Sequence, residues 1–188
     1  ASTPTPTLAC ISKHRRTRPE PSHEPGARTE GPMRADPSPG ALKVLFMSAN
    51  PADTPRLAID RELKAIRVAI RARATETQPL IASVGAMAAG ELLLELHRER
   101  PHVVHISGHG WPKGLVLEAP SGGIELVTPE ALAGVLTTCS ELRLVVLNAC
   151  HSAPHARVIA RSGLACIAVE GVLAAQSAIA FTEGAYLA

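Results

Sequence analysis

Apolar and polar positions along the chain follow two periods, and the switches between them lay out most of the elements. Nearly continuous apolar runs at 43–48, 79–84, 102–107, 144–149 and 164–169 read as strands covered on both faces, the pattern of a parallel sheet. Between them, Leu63, Ile66, Ala69 and Ile70 recur at helical spacing and predict an amphipathic helix over 57–73, and Leu92, Leu93 and Leu96 predict a second over 88–98. Pro101 closes that second helix and sets the following strand. Thr128-Pro129-Glu130 predicts a third helix, with Thr128 as N-cap and Pro129 at the first position; Ser152-Ala153-Pro154 predicts a fourth in the same way. A last helix is expected from about residue 174. Leu115-Val116-Leu117-Glu118 and Ile124-Glu125-Leu126-Val127 flank Ser121-Gly122-Gly123, a turn signal that predicts a small hairpin. Strands alternating with helices imply βαβ crossovers: an α/β fold with a mostly parallel central sheet and helices on both faces.

Two of these runs stop abruptly in polar residues. Val103-Val104-His105-Ile106-Ser107-Gly108-His109-Gly110 ends on a base, and Leu144-Val145-Val146-Leu147-Asn148-Ala149-Cys150-His151-Ser152 on a nucleophile. In parallel sheets the working groups collect beyond the carboxyl ends of the strands, where both His109 and Cys150 fall. Neighbouring strands lie roughly 4.8 Å apart, close enough for the two side chains to meet as a Cys–His pair. A free thiol is only slightly ionised at neutral pH, so a nucleophilic cysteine needs a nearby imidazole or a helix N-terminus. The fourth helix begins just past Cys150 and offers its positive end as well. Gly108 and Gly110 leave room around the histidine for an incoming peptide and for a backbone N–H facing a developing oxyanion.

The rival use of these residues is zinc, with His105, His109, Cys150, His151 and His155 as donors. Residues four apart on a strand are separated by roughly 13 Å, which keeps His105 and His109 off a common ion, so no metal is expected. His105 is read as a core histidine hydrogen-bonded below the site, His151 and His155 as solvated polar residues, and Cys139 and Cys166 as buried thiols. Trp111 is either a pocket wall or packed under the hairpin. Glu170, before Gly171, either lines a pocket for a basic side chain or ends its strand in solvent.

His105-Ile106-Ser107-Gly108-His109-Gly110, followed about forty residues later by Leu147-Asn148-Ala149-Cys150-His151-Ser152, resembles the CHAT domain, a caspase-like branch of the fold shared by caspases, separases, gingipains and clostripain. Val44-Leu45-Phe46-Met47-Ser48-Ala49-Asn50-Pro51 with Thr54-Pro55-Arg56-Leu57 looks like that family's opening strand and loop. Arg100-Pro101-His102-Val103-Val104-His105 matches the approach to its histidine, and Ala178-Ile179-Ala180-Phe181 its closing helix. The resemblance covers 42–188 and implies a caspase-like three-layer sandwich. It also implies a cysteine endopeptidase with His109 as catalytic histidine, Cys150 as nucleophile, the backbone N–H groups of Gly110 and Cys150 as oxyanion hole, and no cofactor. Asn148 stands where relatives that prefer basic residues carry an acid two before the nucleophile, and Ala175 where many resembling sequences have another acid. Both departures leave substrate preference open. The alternative is a domain that kept the fold and lost the activity, a scaffold or interaction module in a bacterial signalling or defence system. Activation in such proteins often comes from sensor or repeat domains in cis or trans. More sequence commonly follows in the family, so a final element is expected to be missing here.

Composition narrows the partners. With 46% hydrophobic but only 2% aromatic residues, the core has to be built from Leu, Val, Ile and Ala. A net charge of +2 and the lack of a basic run interleaved with aromatics argue against nucleic acid. No apolar stretch is long enough to span a bilayer, so no membrane partner is expected. Cys10, Cys139, Cys150 and Cys166 show no disulfide-framework spacing, which suggests a reducing, cytoplasmic setting. Residues 1–41 carry half of the prolines and little that could be buried. They are expected to be a disordered tail or linker, with a ligand for a Pro-binding module as the lesser reading. A nucleotide-binding domain is disfavoured because no Gly-rich phosphate loop follows the first strand.

Overall fold

Strands that are apolar at every position need cover on both faces, and the chain supplies it with helices drawn from both halves. A computed structural model describes residues 7–11, 41–73 and 78–187. In chain order the elements are β1 (Thr7–Ile11), β2 (Lys43–Ser48), α1 (Ile59–Arg73), β3 (Leu80–Val84), α2 (Ala89–Glu99), β4 (Val103–Ser107), β5 (His109–Trp111), β6 (Gly114–Glu118), β7 (Ile124–Val127), α3 (Pro129–Leu136), β8 (Leu144–Asn148), α4 (Ala153–Arg161), β9 (Ala165–Glu170) and α5 (Ala175–Leu187). The main sheet runs β1-β9-β8-β4-β2-β3, parallel throughout except for β1.

The period-2 alternation of strand side chains divides the core in two. Val44 and Phe46, Val103 and Val146 face α1 and α5, where Ile66, Ile70 and Phe181 meet them. Leu45 and Met47, Val104 and Ile106, Val145 and Leu147 face α2, α3 and α4 and the small sheet. Three layers result, in the caspase-like α/β arrangement, and the core is aliphatic as the composition requires.

Two features differ from the sequence reading. The expected hairpin is a three-stranded antiparallel sheet, because His109–Trp111 joins β6 and β7 as β5. Residues 7–11 fell in the segment expected to be tail, yet they form the antiparallel edge strand β1, pairing from Thr7 against Glu170 to Ile11 against Cys166. Thr-Leu-Ala-Cys-Ile is a proline-free, strand-forming run, hidden by the prolines around it when composition is averaged. Residues 1–6 and 12–40 of that expected tail lie outside the described residues.

Candidate active site

Register brings the two polar strand ends together. β4 and β8 are adjacent and parallel, with Ser107 opposite Asn148, so His109 and Cys150 each lie two residues beyond a paired position. The Gly108 N–H still reaches the Asn148 carbonyl at 3.4 Å, after which the chain turns into β5. Gly110 then passes so close to the nucleophile turn that a Cβ on it would stand 1.8 Å from the Cys150 carbonyl oxygen. Only glycine permits that approach.

His109 is held from the β2–α1 loop. Thr54 closes a turn on Pro51, its N–H and hydroxyl both donating to the Pro51 carbonyl at 3.0 and 2.7 Å, and the Leu57 N–H donates to Asn50 Oδ1 at 3.2 Å. The loop so shaped offers the Pro55 carbonyl to His109 Nε2 at 2.8 Å. A carbonyl only accepts, so Nε2 carries a proton, and in the neutral ring Nδ1 is the nitrogen with the lone pair. Cys150 is half-buried; its sulfur accepts from the Leu173 N–H at 3.2 Å, and the thiol faces the Leu173 carbonyl at 3.8 Å. Among the described residues, the Cys150 N–H has no backbone acceptor. His109 and Cys150 share the wall of a cavity of about 200 Å³, which Glu62, Ser107, Asn148, Leu57 and Ile179 also line.

Beneath the pair lies a buried polar network centred on Glu62, a residue the sequence reading did not single out. The Ser107 hydroxyl donates to Oε2 at 2.6 Å, while His105 Nε2–H, Asn148 Nδ2–H and the Thr182 hydroxyl donate to Oε1 at 2.7, 2.6 and 3.1 Å. Tyr186 stands against His105 Nδ1 at 3.3 Å. Burial alone would push the Glu62 carboxyl up, but the donors, His105 first, carry it below its ordinary range. Burial, with the Glu62 charge behind it, raises the Tyr186 phenol above its ordinary range, so its hydroxyl stays protonated beside His105. The clue in the sequence was a carboxylate on the apolar face of α1: Glu62 is one helical turn before Ile66, and both are buried.

The other candidates separate. Asn148 lines the cavity but is almost wholly buried in the network, and its Oδ1 has no hydrogen-bond partner among the described residues. Glu170 stands apart from the cavity, exposed and 3.4 Å from Arg157, as a strand end in solvent. Trp111 is exposed on β5, neither a wall of this cavity nor packed under the small sheet. His105 is fully buried below the site, as expected. His155 is buried too, against expectation: α4 presses it onto the small sheet, where Nε2–H donates to the Val127 carbonyl at 3.2 Å. Ser152 does not cap α4 with its side chain; its hydroxyl accepts the Val169 N–H at 3.0 Å and ties the nucleophile turn to β9. Cys139 and Cys166 are buried, and burial pushes the Cys166 thiol up to about 12. Among the described residues, no three His, Cys, Asp or Glu side chains converge as a metal set would.

A family model of the CHAT domain matches residues 5–179, from ahead of β1 into α5. The chain belongs to the CHAT family. This CHAT domain is therefore of a caspase-like, cysteine-peptidase-related kind, and the match takes in β1 together with the cavity walls. A comparison with curated proteins finds no match. No helix among the described residues is long and apolar enough to cross a membrane.

Proposed function

We propose that this CHAT domain is a cysteine endopeptidase working through His109 and Cys150. The observation that carries the reading is the in-register pairing of β4 with β8, which brings both residues to one cavity. In the proposed cycle His109 Nδ1 takes the Cys150 proton, and the thiolate attacks the carbonyl carbon of a peptide bond. The N–H groups of Cys150 and Gly110 hold the resulting oxyanion. The imidazolium returns its proton to the amine nitrogen as the C–N bond breaks, leaving a thioester that water hydrolyses. The Pro55 carbonyl holds the imidazole in the required tautomer throughout. Protein substrates, control by sensor or repeat domains, a bacterial signalling or defence role and a cytoplasmic setting belong to the same proposal.

The test is site-resolved alkylation of Cys150 by iodoacetamide across pH, in the wild type and in His109→Ala. The substitution is expected to slow Cys150 near neutral pH by about tenfold or more and to abolish peptide cleavage. One observation favours the scaffold reading: among the described residues there is no His109–Cys150 hydrogen bond, and each group rests on a backbone partner, Pro55 or Leu173. Cys150 alkylation indifferent to His109 decides for the scaffold.

A further inference from the structure

His109 takes its backbone position from the small sheet, where it pairs with Val116 of β6, and its ring position from the Pro55 carbonyl in the β2–α1 loop. Those two references belong to different parts of the molecule. A base that meets a thiol with one ring nitrogen needs them in fixed relation, because the nitrogen that carries the proton is set by the hydrogen bond it makes. A loop holds such a group less closely than a strand does, unless something rigid restrains the loop.

Glu118 is placed to restrain this one. It is the last residue of β6, two beyond Val116, and so lies on the same face of the small sheet as His109. Its backbone N–H donates to the Met87 carbonyl at 3.0 Å, and the Met87 N–H donates to the Ser48 carbonyl at 3.0 Å. The end of β6 is thereby braced against the end of β2 by main chain alone, whatever the Glu118 side chain does. That half-buried side chain turns to the loop leaving β2: its Oε1 accepts the Asn50 N–H at 3.2 Å, its one hydrogen bond among the described residues. Asn50 passes the restraint on, since its Oδ1 accepts the Leu57 N–H at 3.2 Å. Pro55 stands inside the segment that this bond closes. The strand that pairs with His109 therefore also anchors the loop that carries the acceptor of its ring.

We infer that Glu118 is a positioning residue for His109: through Asn50 it fixes the Pro55 carbonyl, and with it the direction of Nε2–H and the orientation of the imidazole. The inference rests on the peptidase reading for what His109 then does to Cys150, but the orientation of the ring does not need a reactive thiol. What Glu118 contributes is an acceptor for a backbone N–H. Glutamine, whose amide oxygen also accepts, can stand in for it, and leucine cannot.

Two measurements on the whole chain test it. In the first, Glu118→Leu and Glu118→Gln are each made with and without His109→Ala, and Cys150 alkylation by iodoacetamide is timed near neutral pH. Glu118→Leu is expected to slow the thiol by about threefold or more while His109 is present, because a turned base no longer meets it. It should change nothing once His109 is gone, and Glu118→Gln should react as the wild type does. No slowing by Glu118→Leu, the same slowing without His109, or Glu118→Gln as slow as Glu118→Leu overturns the inference. In the second, NMR of chain with isotope-labelled histidine follows the His109 Nε2–H signal, assigned by its loss in His109→Ala. The signal is expected to persist in Glu118→Gln and to be broadened by exchange with water in Glu118→Leu. If Cys150 proves indifferent to His109 in the otherwise unchanged chain, the peptidase reading fails and this signal decides alone: Nε2–H undisturbed in Glu118→Leu overturns the positioning role. Should Glu118→Leu not fold, Asn50→Ala, which removes the next link, is read in the same two ways.

Discussion

At the scale of single residues, the site depends on one missing side chain and one buried charge. A methyl group at Gly110 would meet the Cys150 carbonyl oxygen at 1.8 Å, and backbone cannot swing aside as a flexible side chain can. Gly110→Ala is therefore expected to cost about 2 kcal/mol or more and to part β5 from the nucleophile turn, read as a lower melting temperature and slower Cys150 alkylation. Glu62→Ala should cost more, about 3 kcal/mol, because it strands buried donors from Ser107, Asn148, His105 and Thr182. Acid should expose the same dependence. A carboxyl held below its ordinary 4.5 contributes stability that is complete above that value and is lost as pH falls through the lowered folded value. His155 works in the same direction at higher pH: burial, the largest cause, lowers it from 6.5, against the Val127 bond and the Glu130 charge. Unfolded chains then bind a proton that the folded one refuses, so stability is full above 6.5 and declines as pH falls below it. His155→Gln is expected to flatten that decline in thermal melts taken from neutral to mildly acid pH.

Among the elements, α5 is attached in good part through polar groups. Its Phe181 joins the apolar cluster with α1, but Thr182 and Tyr186 are tied to the Glu62–His105 network, and the Ala178 carbonyl accepts from Asn148. Thr182→Val and Tyr186→Phe should each loosen α5 by about 1 kcal/mol, measured as faster amide exchange in α5 with little change in β2. Since Asn148 and Ile179 both line the cavity, loosening α5 should weaken substrate binding before it affects the thiol itself. The strands show how much of this was readable. Polar residues at 105 and 107 fall on one face of β4 by the period-2 rule, and the register of β4 with β8 adds Asn148 to that face. That the partner is Glu62, some 43 residues upstream of His105, follows only from the packing of α1 across that face.

Across the whole molecule, β1 closes the β9 edge of the sheet and β3 forms the opposite edge. Removing residues 1–11 should expose the β9 backbone, lower the melting temperature and promote self-association, seen as concentration-dependent sedimentation. The seam between β4 and β8 lies in the middle of the sheet, where it is least sensitive to fraying at either edge, and the candidate nucleophile and base are mounted at its end.

Strand and helix order, the α/β class, the aliphatic core and the placing of His109 and Cys150 at strand ends were determined by the sequence itself, because they rest on local periodicity and on residue types adjacent in the chain; that those two ends are neighbours was decided by the pairing of β4 with β8. The assignment of β5, the pairing of Thr7–Ile11, the burial of His155, the diversion of Ser152 from helix capping and the exposure of Trp111 and Glu170 were decided only by tertiary structure. Apart from β5, which pairs with the nearby β6, each depends on packing that neither propensity nor spacing encodes. Glu62 is the clearest case. Its place on the apolar face of α1 marks it only as a candidate for burial, and it lines a cavity because α1 and α5 pack over the polar ends of β4 and β8.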